Sequence, residues 1–284
     1  TVEFRPRGTF NPVTDMVGGG PFDLRPGEWT DDTSMALCLA VSLLEKNGFA
    51  PRDQMERYCR WRDEGYLSSN GRCFDIGNTV AGALHRFQRT GVPFSGSVDP
   101  HSAGNGSMMR LAPVPMLYVE DLKQVVHYAG ESSQTTHGAQ EAVDGCQLFG
   151  VMIALTLKGK TKEDVLFKQR DASISVEKLA PSIADIALGT YRDKGEEKIR
   201  GSGYVVKSLE AALWSFLNTE SFEDAILRAV NLGDDADTTG AICGQIAGAY
   251  YGVEGIPQRW LNILVKKDYI EQVALEIYRE RKRA

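Results

Sequence analysis

The apolar residues of this chain recur at three- and four-residue steps, and runs of strict two-residue alternation are nearly absent. Residues three and four apart share one face of a helix, whereas a half-buried strand alternates sides at every residue. The pattern therefore favours an all-α architecture in which helices pack on helices. One clear example ends at Gly48 and contains Ala36, Leu39, Ala40, Leu43 and Leu44.

Ten further stretches have helical spacing, while residues 1–30 are interrupted by glycine and proline and are predicted to form loops. Ser221, three residues before Asp224, resembles the N-terminal cap of a helix. Because no repeat or shift in composition marks a boundary, we expect residues 1–284 to form a single compact domain. The predicted helices cover about 53–64, 78–89, 119–129, 138–157, 176–193, 205–217, 222–231, 239–251, 258–266 and 268–281.

Four glycines lie at four-residue steps in the predicted helix that follows Asp237, at positions 240, 244, 248 and 252. Each glycine inside a helix costs ~1 kcal/mol relative to alanine. Such a stripe predicts the close approach of another backbone. A tight helix–helix contact without chemistry explains the spacing, and so does a central helix whose N-terminal end carries a site.

Charge and composition narrow the function classes. The formal charge of -6 argues against a sequence-independent nucleic-acid binder, which needs a basic face. The five cysteines include no CxxC pair and are predicted to be buried free thiols in a reducing compartment. The sequence contains no HExxH spacing of the kind that indicates a zinc site.

The N-terminal segment and the longest apolar stretch bear on where the protein is located in the cell. The segment Thr1-Val2-Glu3-Phe4-Arg5 lacks the features of a secretion signal. The longest apolar stretch, 241–251, is shorter than the ~20 residues that span a bilayer. We therefore expect a cytoplasmic monomer that binds neither membranes nor nucleic acid.

Two acidic clusters, Thr30-Asp31-Asp32 and Asp235-Ala236-Asp237-Thr238, each stand where a helix is predicted to begin. Capping by Asp or Thr is one explanation. A cap needs only one carboxylate, however, and like charges repel unless a cation neutralises them. Carboxylate and hydroxyl oxygens suit a hard cation such as Mg²⁺ or Mn²⁺. The spacing alone leaves open whether the two clusters share one site.

Five motifs occur in the order found in the ADP-ribosylglycohydrolase family, which this chain resembles from residue 1 to about residue 260. The start of the chain looks especially like the dinitrogenase reductase-activating glycohydrolase branch. The motifs are Thr30-Asp31-Asp32-Thr33-Ser34-Met35, Phe74-Asp75-Ile76-Gly77-Asn78-Thr79, Ala103-Gly104-Asn105-Gly106-Ser107-Met108-Met109-Arg110, Thr135-Thr136-His137 and Gly233-Asp234-Asp235-Ala236-Asp237-Thr238-Thr239-Gly240.

The resemblance implies an all-α domain with two Mg²⁺ or Mn²⁺ ions at its centre. Glu3 matches an acidic residue near the metals and is the candidate for proton transfer, with Asp32 and Asp235 as further catalytic residues. Asp234 replaces a glycine of the family motif, and we expect it to point away from the ions. The implied metal ligands are Thr30, Asp31, Asp32, Asp235, Asp237 and Thr238.

The same resemblance implies a substrate cleft. The backbone N–H groups of the glycine-rich loop would hold the diphosphate and ribose, and His137 and Tyr204 would line the ADP-ribose. Without the resemblance, Asn105 reads as a turn residue, His137 as a helix-terminal residue, and Asp75 as the cap of the helix from Asn78. The implied substrate-binding residues are Ser102, Gly104, Asn105, Gly106, Ser107, His137 and Tyr204.

Two departures from the family pattern stand out. Members usually begin with a glycine-rich helix just before the position of Thr1, and this sequence starts after it. Ser102 also stands where many members carry Asp ahead of Ala-Gly-Asn. If that Asp acts directly in those members, this chain must use another group.

The implied reaction removes ADP-ribose from a side chain of an ADP-ribosylated protein, with arginine as the favoured side chain, and releases ADP-ribose as product. One rival is a non-catalytic ADP-ribose-binding or structural protein on the same fold, for which loss of metal ligands would argue. A second rival is a metal-dependent phosphoesterase, for which a His or Lys beside the clusters would argue. All six implied ligands are present, and no His or Lys adjoins either cluster.

Overall fold

The computed structural model describes residues 2–168 and 174–281, and these residues contain thirteen α-helices. The prediction of a mostly helical protein is therefore confirmed. The helices are α1 (Asp31–Glu45), α2 (Pro51–Glu64), α3 (Asn78–Thr90), α4 (Pro113–Leu117), α5 (Leu122–Gln134), α6 (Gln140–Leu157), α7 (Lys162–Phe167), α8 (Pro181–Ala187), α9 (Val205–Leu217), α10 (Phe222–Val230), α11 (Ala236–Tyr251), α12 (Gln258–Ile263) and α13 (Lys267–Glu280).

Helix α6 forms the centre of the protein. Most of its residues are buried, as expected for a helix with a strongly apolar sequence. It packs against α5, α9 and α11, and α11 in turn contacts α1. Within the described ranges, no helix combines the length and the apolar character needed to cross a lipid bilayer.

A two-stranded antiparallel ladder was not anticipated. Strand β1 (Arg5–Pro6) pairs with β2 (Gly233–Asp234), and Arg5 lies opposite Asp234. Two residues are too few to display a strand period, so the sequence pattern gave no signal of this pairing. The ladder joins the N-terminal segment to the residues immediately before α11.

The single helix predicted over 176–193 is wrong. A 3₁₀ turn covers Val176–Lys178, and α8 begins afresh at Pro181, where the missing proline N–H costs nothing. After α8, Gly189 adopts φ +76°, a left-handed conformation that does not continue a right-handed helix. The short helices α4 and α7 were also missed, whereas the predicted cap is confirmed, because the Asp224 N–H donates to Ser221 Oγ at 3.0 Å.

The glycines of α11 face α10, but only one contact is tight. A Cβ built on Gly240 would lie 2.9 Å from Val230 Cγ1, whereas one on Gly244 would lie 3.6 Å from the nearest atom, an ordinary distance. Gly252 ends the helix with φ +69° and belongs to its terminus. The stripe is therefore chiefly a packing feature, with its strict requirement at Gly240.

Candidate active site

The two acidic clusters meet at the N-terminal ends of α1 and α11. Thr30 directly precedes α1 and Asp235 directly precedes α11, yet neither side chain caps its helix. Instead, Thr30 Oγ1 lies 2.7 Å from Asp32 Oδ2 and 2.9 Å from Asp237 Oδ2. Capping by these side chains is thus excluded as the explanation of the clusters.

The carboxylates form two overlapping triads. One consists of Glu3, Asp235 and Asp237, and the other of Asp31, Asp32 and Asp237. Within each triad, one oxygen of every residue lies within 4.8 Å of the others. Asp237 belongs to both triads and therefore links the two groups of carboxylates. Asp234 belongs to neither triad, although it lines the cleft beside them.

Burial and mutual repulsion make four of these carboxylates, those of Glu3, Asp31, Asp32 and Asp235, hard to ionise. Desolvation, followed by the charge of Asp237, raises the pKa of Glu3 to about 9 and that of Asp235 to about 6. Burial and the adjacent carboxylates also raise the pKa of Asp31 and of Asp32 well above the usual range. Such a cluster stabilises a nearby positive charge, because a cation relieves the repulsion.

The oxygens of the triads fit a divalent cation. Asp32 Oδ1 and Asp237 Oδ1 are buried and lack a hydrogen-bond partner among the described residues, although buried polar atoms are normally paired. The Thr30 hydroxyl has one proton but stands against two carboxylate oxygens. A donor set made only of oxygens is typical of Mg²⁺ or Mn²⁺ sites.

Asp75 was interpreted from the sequence as a possible helix cap, and that interpretation is wrong. The residue preceding α3 is Gly77. Asp75 instead lines, together with Glu3, a cleft that opens beside the two triads. Burial, followed by the charge of Asp237, raises the pKa of Asp75 to about 7, while a hydrogen bond with Glu3 opposes that rise. The signal that could have identified Asp75 is its motif, Phe74-Asp75-Ile76-Gly77.

Three residues beside the triads have left-handed backbone conformations, namely Phe4 (φ 61°), Asp75 (φ 60°) and Asp234 (φ 55°). Residues with a Cβ rarely adopt such angles, and each instance costs about 1–3 kcal/mol. The Phe4 N–H donates to the Asp234 carbonyl at 2.6 Å, which holds two of these residues together. The surrounding fold therefore maintains strained backbone conformations close to Glu3.

A cleft of about 840 Å³ opens beside the triads, large enough for a nucleotide-sized molecule. The predicted loop residues Gly104, Asn105 and Gly106 line it, together with His137. Asn105 Nδ2 donates to Asp235 Oδ2 at 2.7 Å, so the loop and the carboxylates are directly connected. Two aromatic residues, Phe4 and Phe22, also line the cleft and were not anticipated from the sequence.

Three of the predicted substrate-binding residues are not among the residues that line this cleft. The Ser102 hydroxyl donates to the Asp99 carbonyl at 2.6 Å, and the Ser107 hydroxyl is buried and lies 2.9 Å from Ser133 Oγ. Tyr204 bridges to Gly104 through its backbone, while its hydroxyl donates to Glu141 Oε2 at 2.6 Å. Their contacts with substrate stay predictions.

Comparison with known proteins agrees with this geometry. The sequence profile of the family described as ADP-ribosylglycohydrolase matches residues 1–284. The chain is 45% identical over 278 residues to the ADP-ribosylarginine hydrolase Tri1 of Pseudomonas putida, covering 98% of this chain and 73% of that protein. It is 30% identical over 276 residues to the ADP-ribosyl-[dinitrogen reductase] glycohydrolase of Rhodospirillum rubrum, covering 94% and 85% of the two chains.

A solved structure described as an ADP-ribosylglycohydrolase-related protein complex superposes with a TM-score of 0.85. The two sequences are 41% identical, and the match covers 99% of this chain and 91% of the other. This chain therefore belongs to the ADP-ribosylglycohydrolase family and has its fold. It is a glycosyl hydrolase by family, as the motifs had indicated.

Proposed function

We propose that this chain hydrolyses the bond between ADP-ribose and an arginine side chain of a modified protein. The observation that carries the proposal is the pair of carboxylate triads that share Asp237, three of whose members, Glu3, Asp31 and Asp235, line a nucleotide-sized cleft. The preference for arginine is supported by the similarity to relatives named for arginine-linked and dinitrogen-reductase-linked ADP-ribose.

One continuous buried cluster, from Trp29 to Ile277, supports a single domain.

Two Mg²⁺ or Mn²⁺ ions would be held at the triads, which have Asp237 in common. When bound, such ions supply positive charge that polarises ribose hydroxyls and acidifies water. Burial of the surrounding side chains would keep that charge in a low-dielectric environment, where it acts most strongly. The residues that would hold the ions are Thr30, Asp31, Asp32, Asp235, Asp237 and Thr238.

Glu3 is placed to carry the proton. Hydrolysis breaks the bond between ribose C1″ and the guanidine nitrogen and forms a bond from water oxygen to C1″. In this proposal the carboxyl group of Glu3, which its raised pKa keeps protonated, gives its proton to the departing nitrogen and then takes up the proton of the water. Positive charge that builds on the ribose is stabilised by the carboxylate of Asp235, which Asn105 holds by its 2.7 Å hydrogen bond.

The remainder of the cleft orients the substrate. Backbone N–H groups around Gly104 and Gly106 are suited to the diphosphate, since glycine lets an anion approach the main chain closely. The ring of His137 lies against this loop, because a Cβ on Gly104 would be 3.2 Å from its Nε2. Binding energy from these parts positions C1″ over the carboxylates.

The proposal is tested by incubating the protein with Mg²⁺ or Mn²⁺ and a protein ADP-ribosylated on arginine, with mass detection of released ADP-ribose. A serine-linked substrate measures side-chain preference. We expect release from arginine, loss of release in Asp235→Ala, and normal release in Asp193→Ala, which changes an exposed carboxylate. Intact hydrolysis by Asp235→Ala would refute the proposed site, and binding without hydrolysis by the unaltered protein would favour the non-catalytic alternative.

A further inference from the structure

Arg110 is fully buried next to the cleft and contacts neutral oxygen atoms. Its Nη1 donates to the Gly106 carbonyl at 2.5 Å, and its Nη2 donates to Thr136 Oγ1 at 2.8 Å. Its guanidinium lies over the ring of Tyr58, 4.7 Å from the ring centre. Burying a charge costs several kcal/mol, so a buried arginine with such partners calls for an explanation.

The contacts of Thr136 determine the tautomer of His137. Thr136 Oγ1 lies 2.8 Å from His137 Nδ1, and both residues are buried. Because Thr136 Oγ1 already accepts from Arg110, the arrangement that pairs every group has the Thr136 hydroxyl donating to Nδ1. His137 Nδ1 is then an acceptor, and the ring proton resides on Nε2.

The position of His137 places the Nε2–H group of this tautomer at the wall of the cleft. Its ring lines the cleft, and its Nε2 adjoins the loop formed by Gly104 and Gly106. The backbone is held independently, because the His137 N–H donates to the Ser133 carbonyl at 2.7 Å and Ser133 Oγ donates to the His137 carbonyl at 2.9 Å. The Nε2–H group is therefore a fixed donor at the cleft wall.

We infer that Arg110 is a positioning residue that acts through Thr136 to hold His137 as the neutral Nε2–H tautomer, and that this N–H binds an oxygen of ADP-ribose. The inference rests on the proposed function for its ligand but not for its tautomer. Burial, with the nearby charge of Arg110, lowers the pKa of His137 to about 3, so the ring stays neutral at physiological pH.

The hydrogen-bond relay is tested by nitrogen-15 NMR of histidine-labelled protein at pH 7, which distinguishes the two neutral tautomers without requiring activity. The chain has four histidines, and the signal of His137 is assigned by its loss in His137→Gln. Thr136→Val removes the hydroxyl at nearly constant shape, and Thr136→Ser restores it. Arg110→Lys keeps the charge but loses the forked geometry that reaches both Gly106 and Thr136.

Binding of ADP-ribose, measured by calorimetry with Mg²⁺ present, supplies the second readout. We expect the Nε2–H form in the unaltered protein and in Thr136→Ser, and its loss in Thr136→Val and Arg110→Lys. Loss of one hydrogen bond should weaken ADP-ribose binding roughly five- to tenfold. If Arg110→Lys fails to fold, Thr136→Val and Thr136→Ser still test the hydrogen-bond relay.

An Nδ1–H or charged ring in the unaltered protein, or an unchanged tautomer in Thr136→Val, would overturn the relay. An altered tautomer with unchanged ADP-ribose affinity would overturn the role of Nε2–H in binding. Failure of the proposed function has a different signature, since the protein would then show the expected tautomer but release no ADP-ribose from any modified protein.

Discussion

Thr30 Oγ1 lies 2.9 Å from Asp237 Oδ2, although 207 positions separate the two residues. The contact joins the start of α1 to the first turn of α11, so two segments that each resemble a helix cap form one acidic centre. Because Asp237 also belongs to the triad of Glu3 and Asp235, changes at this residue affect both halves of the centre.

Asp237→Asn should reduce the rate of ADP-ribose release more than any other single carboxylate substitution in the centre. The amide keeps the shape of the side chain but lacks the charge that both triads use. We expect a loss above the ~100-fold typical of residues that only support metal ligands. Steady-state rates and calorimetric Mn²⁺ binding measure the effect, with Asp193→Asn as control. Retention of a tenth of the activity would contradict the shared role.

Asn105→Ala should reduce activity about 10- to 100-fold, because Asn105 holds Asp235 by a 2.7 Å hydrogen bond. The loss should exceed any change in overall stability, which thermal unfolding measures separately. Asn70→Ala serves as the matched amide control, since Asn70 lies outside the cleft lining. Equal activity of the Asn105 and Asn70 variants would show that Asp235 needs no such support.

Added Mg²⁺ or Mn²⁺ should stabilise the folded protein. A ligand that binds only the folded state at 100 times its dissociation constant contributes about 2.7 kcal/mol to the free energy of unfolding. The thermal midpoint should therefore rise with metal concentration and fall on chelation. This rise should be absent in Asp237→Asn. An equal rise in the variant would place the binding elsewhere.

Gly106→Ala should weaken ADP-ribose binding. The new Cβ would lie 2.9 Å from His137 Cε1, too close for a packed ring, so the loop or the ring must move. Gly82→Ala is the control, because its Cβ would meet only the flexible Arg86 side chain at 3.6 Å. That change within α3 should stabilise the helix by up to ~1 kcal/mol. Unchanged affinity in Gly106→Ala would argue against close contact of the loop with ligand.

Acid should destabilise the protein partly through His137. Its folded-state pKa of about 3 lies below the unfolded value of 6.5, so the unfolded chain binds the proton first as pH falls. Stability from this residue is fully present above pH 6.5 and is lost progressively toward pH 3. The free energy of unfolding of His137→Gln should accordingly fall less over that range. Parallel curves for the two proteins would contradict a buried neutral ring.

Helices with a sustained apolar period were predictable from sequence, as α6 and α11 show. Their periodicity depends on burial along one element, which the local sequence records. The break at Pro181 and the strand pairing of Arg5 with Asp234 were not recovered. The break was obscured because apolar residues keep a helical spacing across it. The strand pairing depends on a contact between segments that are distant in sequence.

For the site, the residue types predicted the chemistry better than the geometry. The meeting of the two oxygen-rich clusters agrees with expectation, whereas the hydrogen bond from Asn105 to Asp235 was not predicted. The position of Asp75 and the burial of Ser107 did not follow from the pattern, because each depends on how separate loops pack. Arg110 stands at the end of a motif, and its contacts with Tyr58 and Thr136, both distant in sequence, could not be read from that motif.

The ladder between β1 and β2 also has a consequence for synthesis of the protein on the ribosome. Residues 5–6 are made well before their partners at 233–234. A growing chain therefore exposes Asp31 and Asp32 long before Asp237 is available to complete the centre. Assembly of the acidic centre must be a late event in folding, and chains interrupted before residue 237 should neither bind the metal ions nor hydrolyse the substrate.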